Sequence, residues 1–433
     1  VFRHLGQVAP MGRLTLAESV GLGLGLVPGL LALVYSMRSY PLTWNGIWSG
    51  YHGDMTFFEG LAASVAELGP GPSLFMEGAD LRYHSLVYGW AGQLTVSLDL
   101  MPFLVLVRVL PVLVLIGSVV LAVSWAHRLS PGFVAPGLAA LLVVSGGFVG
   151  ATFGTILNFD SPSQAMTTMW LLGLSIVVLR ALHGGHLAGY ALPTVALSLA
   201  LAGGKISTAA IAVAGTAFLS LLGVVRRASW RWCALGLFLA TALSTLVVYL
   251  TLLAGSNDSG GLKFLALVDR ASSLQSLNPV VTERGILAGI VILVVAVLPR
   301  WLGMAWLIAD ARNRWSPDTV LGYGYALGAL GTILVLSGGF NDLWFTVAAS
   351  APLAVLSAAG VAAGWSWLSQ ISWTRNLSAL ILGAFSALLA VLLWTSGSSG
   401  ILGIGWRWAA PPRLPAPPVQ RGTRSSGRCG VRG

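Results

Sequence analysis

The chain reads as an all-α integral membrane protein, and three observations lead there. It is 433 residues long, 56% hydrophobic and only 9% charged, against about 25% charged residues in soluble domains. Apolar runs near the length needed to cross a bilayer recur along it. Continuous runs such as Val109–Val123 and Leu235–Leu253 lack the alternation that a transmembrane β-barrel requires. About eleven transmembrane helices are expected, at 14–36, 101–126, 131–157, 165–182, 187–203, 206–225, 233–254, 286–309, 319–338, 344–366 and 376–396. Pro299-Arg300-Trp301 interrupts the eighth. Basic residues Arg3 and Arg13 ahead of the first run fit a retained signal-anchor, since the run continues and further spans follow.

A formal charge of +10 would suggest nucleic acid in a soluble protein. Here the arginines sit in short turns and in the tail, where positive-inside topology and anionic membrane lipids account for them, and no nucleic-acid partner is expected. With the N-terminus in the cytoplasm, the cytoplasmic turns carry Arg128, Arg180, Arg226, Arg227, Arg231, Arg312, Arg314 and Arg375. The other face then holds Met37–Leu100, Asn158–Gln164, Gly255–Gly285 and Gly339–Asp342, and each of these four segments has at least one acid. Residues 1–396 form one polytopic domain in this reading. Residues 397–433 form a basic tail rich in Pro and Arg, of a composition that stays unfolded.

The first outer segment is where charge collects. Six of the fourteen carboxylates lie in it: Asp54, Glu59, Glu67, Glu77, Asp80 and Asp99, alongside Arg82, His52 and His84. Apolar residues at 57, 58, 61, 62, 65 and 68 form one stripe at helical spacing. Gly69-Pro70-Gly71-Pro72 ends that helix, which is too short to span and suits the membrane surface. Asp54 falls at its N-cap. The plain explanation for Asp54 is capping, and Glu59, one turn in, also suits the helix dipole. The chemical explanation is a carboxylate at the membrane–water boundary that takes a proton from a sugar hydroxyl.

A second short amphipathic stretch, Ser85 to Leu98, follows Arg82-Tyr83-His84. Arg82 offers a planar fork for a phosphate, or an ordinary loop ion pair with Asp80 or Glu77. His84 offers acid, base or donor chemistry. Tyr83, Tyr88 and Trp90 suit stacking on a sugar or the interfacial aromatic belt. Lys205, in Gly203-Gly-Lys-Ile-Ser-Thr208, lies between two close spans. It either reaches a lipid-linked phosphate or snorkels from a helix end. The segment is not a P-loop, because Leu199 stands where that motif needs glycine. Arg108 lies about two turns inside its span, placed to pair with a loop acid or bind the same phosphate. Cys233 and Cys429 are far apart and imply no disulfide framework. There is no HExxH, and His183 and His186 have no acid near them in sequence, so neither a metal nor another cofactor is expected.

Asp54 just after the first span, the large first loop with surface helices, and the Arg82-Tyr83-His84 element resemble GT-C-type polytopic membrane glycosyltransferases. The Arg82 to Trp90 stretch also resembles that of uncharacterised actinobacterial membrane proteins. The resemblance covers roughly residues 14–210. It implies transfer of a sugar from a polyprenyl-phosphate donor to an envelope glycan, lipid or protein acceptor at the outer face of a bacterial plasma membrane. By position Asp54 would be the base, with Glu59 and His84 beside it. Arg82, Lys205 and Arg108 would hold the donor phosphate, and Tyr83, Tyr88, Trp90 and Asp80 would contact sugar or acceptor. Many members carry two adjacent acids, where this chain has Gly53-Asp54. Two other readings of the layout are a transporter or flippase for a lipid-linked sugar, and a non-catalytic envelope-assembly protein.

Overall fold

The structure, a computed structural model, describes residues 15–37, 40, 42, 54–69, 83–144, 161–184, 187–253, 301, 303–311, 313–335 and 343–369. The described residues are helical or irregular, with no strand among them. The expected span 376–396, most of 286–309, and the tail lie outside them, as do Asp80, Arg82 and His52.

The helices are α1 (Leu16–Met37), α2 (Met55–Leu68), α3 (Leu86–Leu98), α4 (Pro102–Leu129), α5 (Val134–Val144), α6 (Pro162–Gly184), α7 (Ala188–Gly204), α8 (Ile206–Val225), α9 (Arg231–Leu253), α10 (Met304–Ala309), α11 (Pro317–Val335) and α12 (Leu343–Ser369). Among the described residues, six helices are long and apolar enough to cross a membrane: α1 over Leu16–Val34, α4, α6, α8, α9, and α12 over Trp344–Ser366. Eight of the expected spans coincide with described helices to within a few residues; the span expected at 131–157 is described as helix only over Val134–Val144. Of 286–309, only the short α10 is described as a helical segment of several residues.

Apolar composition is not a core signal here, because large apolar side chains face outward as well. Leu16, Val27, Leu31 and Val34 on α1 and Leu243, Val247 and Leu250 on α9 are exposed, as a lipid-facing surface requires. With lipid outside, helices gain little from simply hiding apolar area, so close packing decides association. α1 shows the device: Gly21, Gly25 and Gly29 recur every fourth residue. A Cβ at Gly25 would come within 2.7 Å of Ala140 and 2.8 Å of Val119. The stripe therefore seats α1 against α4 and α5. At the centre of the bundle Ser175 and Tyr325 share a hydrogen bond of 2.8 Å between α6 and α11.

α2 and α3 are the two short helices of the first loop, and they pair with each other. α2 buries Met55, Phe58, Leu61, Ala62 and Val65; of the stripe expected from spacing, Phe57 is half-buried and Leu68, at the last turn, is exposed. Gly69, at φ 79°, ends the helix with its N–H on the Val65 carbonyl. A Cβ at Gly92 of α3 would strike the Ala62 carbonyl, so glycine sets the spacing of the pair. α3 in turn rests on α6 and α7.

Candidate functional site

The site is built where helices of the bundle begin. α6, α8 and α12 all start at the end of the bundle that carries α2 and α3, as the contacts of Lys205, Ser163 and Trp344 show. Lys205 forms the corner between α7 and α8, with extended backbone. Gly203 and Gly204 precede it. A Cβ at Gly204 would come within 3.1 Å of Trp170 and 3.2 Å of Val87, and one at Gly203 within 3.2 Å of Leu86. Two glycines in a row thus let the start of α3 lie flat on the Lys205 corner.

Asp54 is exposed and occupies the N-cap position of α2, but its side chain makes no capping bond. The backbone alone closes the first turn, through Phe58 N–H to Asp54 C=O at 2.9 Å. The carboxylate is therefore turned to something other than capping, and its charge reaches the Tyr88 phenol. Tyr88 is fully buried. Burial, with the nearby Tyr83 and the Asp54 charge, pushes its hydroxyl well above the usual phenol range, while Ser163 acts in the other direction. Neither the Tyr88 nor the Ser163 hydroxyl has a hydrogen bond of good geometry among the described residues.

The aromatic side chains form one stacked group. Phe58 stacks on Tyr88 with centroids 4.9 Å apart and planes 16° from parallel. Phe57 meets Tyr83 edge-on at 5.4 Å, and Tyr83 lies 3.7 Å from the His84 ring. His84 is held well below the usual imidazole range by burial and by the Lys205 charge, so it stands as a neutral ring. Its Nε2 is buried with no hydrogen-bond partner among the described residues. Trp90 is half-buried against the core. Glu59 is half-buried, and burial raises its carboxyl above the usual range.

Lys205 points its ammonium at the Trp344 ring, 5.1 Å from the centroid, a cation–π contact. Below it a buried polar network ties the first turns of α6 and α8. Gln164 donates to Thr208 at 3.1 Å, Ser207 donates to Gln164 at 3.4 Å, and Thr167 and Thr208 share a bond of 3.0 Å.

Arg108 stands slightly apart. It lies in a π-helical turn of α4, Val105–Val109, a local widening that re-aims a side chain. Its guanidinium donates to the carbonyls of Tyr40 at 2.7 Å, Met37 at 3.2 Å and Val107 at 3.0 Å. It thereby closes the C-terminal end of α1. Ring contacts thus join Phe57, Phe58, Tyr83, His84 and Tyr88, with the Asp54 charge felt at Tyr88 and the Lys205 charge felt at His84. Asp80 and Arg82 lie outside the described residues.

From sequence, the turn that ends in Ser163 and Gln164 fits either a wall of the outer cavity or ordinary turn chemistry. Sequence reasoning missed Asp318 at the opposite end of the bundle. That side chain is buried, accepts from Trp125 Nε1 at 3.1 Å and lies 3.9 Å from His183 Nε2. His183 has no acid near it in sequence but has one in space. Among the described residues no group of three metal-ligating side chains occurs.

Fold and surface together define a multi-pass α-helical membrane protein. No protein-family profile matches the chain, and no curated protein matches it. Among solved structures it is similar to the Archaeoglobus fulgidus oligosaccharyltransferase in complex with Zn and sulfate, at 13% identity and TM-score 0.46, covering 86% of this chain and 53% of that one. It is also similar to oligosaccharyltransferase AglB from Archaeoglobus fulgidus in complex with an inhibitory peptide and a dolichol-phosphate, at 16% identity and TM-score 0.45, covering 87% of this chain and 55% of that one. The chain spans about half the length of these proteins.

Proposed function

We propose that the protein is a membrane glycosyltransferase of the GT-C type, moving a sugar from a polyprenyl-phosphate donor to an envelope glycan, lipid or protein acceptor at the outer face of a bacterial plasma membrane. One observation carries the reading. A loop carboxylate released from capping, Asp54, shares a single cluster with a cationic corner, Lys205, at one end of an apolar bundle. A base for the acceptor and a countercharge for a leaving phosphate are the two groups that direct displacement at an anomeric carbon needs.

In this mechanism Asp54 takes the proton of the acceptor hydroxyl. The acceptor oxygen bonds to the anomeric carbon as the bond from that carbon to the phosphate oxygen breaks. The polyprenyl phosphate leaves with the electron pair, facing Lys205. Glu59 is a second proton site. Arg108, whose donors hold the end of α1, acts as a positioning residue, and Arg82 is a second phosphate ligand by its place in the loop. Tyr83 and Trp90 line the sugar side. The donor lipid enters from the bilayer, and the full bundle has about eleven spans with a cytoplasmic N-terminus.

The test is a panel of polyprenyl-phosphate sugars presented to wild type and Asp54→Asn in nanodiscs. A donor should raise the melting temperature of both proteins, since binding stabilises by mass action, while only wild type transfers sugar to an acceptor. A chain that binds no lipid-linked sugar contradicts the reading. Transport without transfer would favour a flippase instead.

A further inference from the structure

We propose that the turn between α8 and α9, together with Trp315, binds the head group of one anionic membrane phospholipid. The turn lies at the end of the bundle opposite Lys205, so the site is separate from the transferase reading and does not rest on it.

α8 begins after Lys205 and ends at Arg226, and α9 starts at Arg231. One short turn therefore carries three guanidinium groups, on Arg226, Arg227 and Arg231, the first two exposed. Among the described residues none of the three has a carboxylate within ion-pair distance. The acids at this end bond other groups: Asp318 accepts from Trp125, Asp310 from Asn313 and Glu18 from Thr15. The negative end of the α8 dipole accounts for one cation, not for three.

The Arg227 N–H bonds the Val224 carbonyl at 3.0 Å, and the Ala228 N–H bonds that of Gly223 at 2.9 Å. This pattern ends a helix on a left-handed residue, where glycine is usual. Here that residue is Arg227, at φ 52°. An arginine kept in a conformation that glycine adopts with less strain points to a use for its side chain. Arg231 donates to the Arg227 carbonyl at 3.2 Å, which brings a second guanidinium to the same corner. The third, on Arg226, lies over the Trp315 ring, 4.3 Å from its centroid. Trp315 is braced edge-on by Tyr323, whose hydroxyl donates to the Arg314 carbonyl at 3.1 Å. A ring contact does not use up the N–H donors of a guanidinium, which match phosphate oxygens in pairs.

The surroundings favour a lipid over a soluble anion or an acidic protein. Leu221, Val224, Val225 and Trp232 are all exposed, an apolar collar next to the charges. Acyl chains fit the collar while the phosphate meets the arginines, as at an anionic leaflet surface.

The full chain in a neutral detergent would be titrated with phosphatidylglycerol and, separately, with phosphatidylcholine, and bound lipid counted by native mass spectrometry. One phosphatidylglycerol should bind wild type in preference to phosphatidylcholine. Arg226→Gln and Arg227→Gly should each weaken it about fivefold and leave phosphatidylcholine unchanged. Without lipid, Arg227→Gly should melt no lower than wild type, because glycine relieves the left-handed residue. A lower melting temperature would make Arg227 a helix-end residue only and overturn the site. Equal phosphatidylglycerol affinity in wild type and both variants overturns it too. Glycerol phosphate binding as tightly as the lipid would make this a soluble-anion site, and an acidic peptide binding more tightly would assign it to a protein partner; either result overturns the lipid.

Discussion

Lys205 and Trp344 face each other at 5.1 Å from ammonium to ring centre. The contact joins the corner between α7 and α8 to the first turn of α12, residues separated by most of the bundle's second half in sequence. It holds a cation at a helix corner rather than letting it snorkel outward. The same cation lies close enough to His84 to oppose its protonation. One lysine thus links the packing of the bundle to the protonation of the loop.

The protonation of His84 gives a stability signature. Its folded-state pKa lies well below the usual imidazole value of 6.5, from burial first and the Lys205 charge second. Below pH 6.5 the unfolded chain gains a proton that the folded chain refuses, so stability falls as pH falls. Thermal melts of wild type from pH 8 to pH 5 should show this loss. His84→Gln should flatten the profile in that window.

Arg108 is a clamp on α1. Its two terminal nitrogens reach three carbonyls across 71 residues of sequence. Arg108→Lys keeps the charge but loses the fork, and one carbonyl at least goes unmet. A loss of about 1.5–3 kcal/mol is expected for bonds of this charged type. Urea or thermal unfolding in detergent micelles would measure it.

At the far end, Asp318 accepts the indole N–H of Trp125, and both side chains are buried. Asp318→Asn keeps an acceptor and should cost little. Asp318→Ala leaves the indole N–H unmet and should cost about 1–3 kcal/mol. Melting temperatures of the two variants, compared side by side, test the assignment.

Much of this was legible in the sequence. Apolar length located α1, α4, α6, α7, α8, α9, α11 and α12, because lipid demands an uninterrupted helix wherever it is crossed. The stripe from Phe57 to Val65 and the glycine–proline stop at Gly69 located α2, and the run after Ser85 located α3. Residue type suggested that Lys205 acts with the first loop, but not how it comes to lie beside the start of α3. That depends on Gly203 and Gly204 admitting Leu86 and Val87, a contact between segments over 100 residues apart. The depth of Arg108 in its span was visible in the sequence, while its carbonyl partners, Met37 and Tyr40, were not. Asp318 escaped notice because a polar residue near a helix start looks the same in sequence whether it faces solvent or a neighbouring helix.

The most direct test of the central claim is the steady-state rate of sugar transfer from a polyprenyl-phosphate donor by Asp54→Asn and Lys205→Ala beside wild type. A positioned base contributes about 10²–10⁴-fold to rate. Asp54→Asn should therefore lose at least about 100-fold in kcat with KM for the donor little changed. Lys205→Ala should raise KM for the donor and lower kcat. Transfer by Asp54→Asn at the wild-type rate would contradict the account.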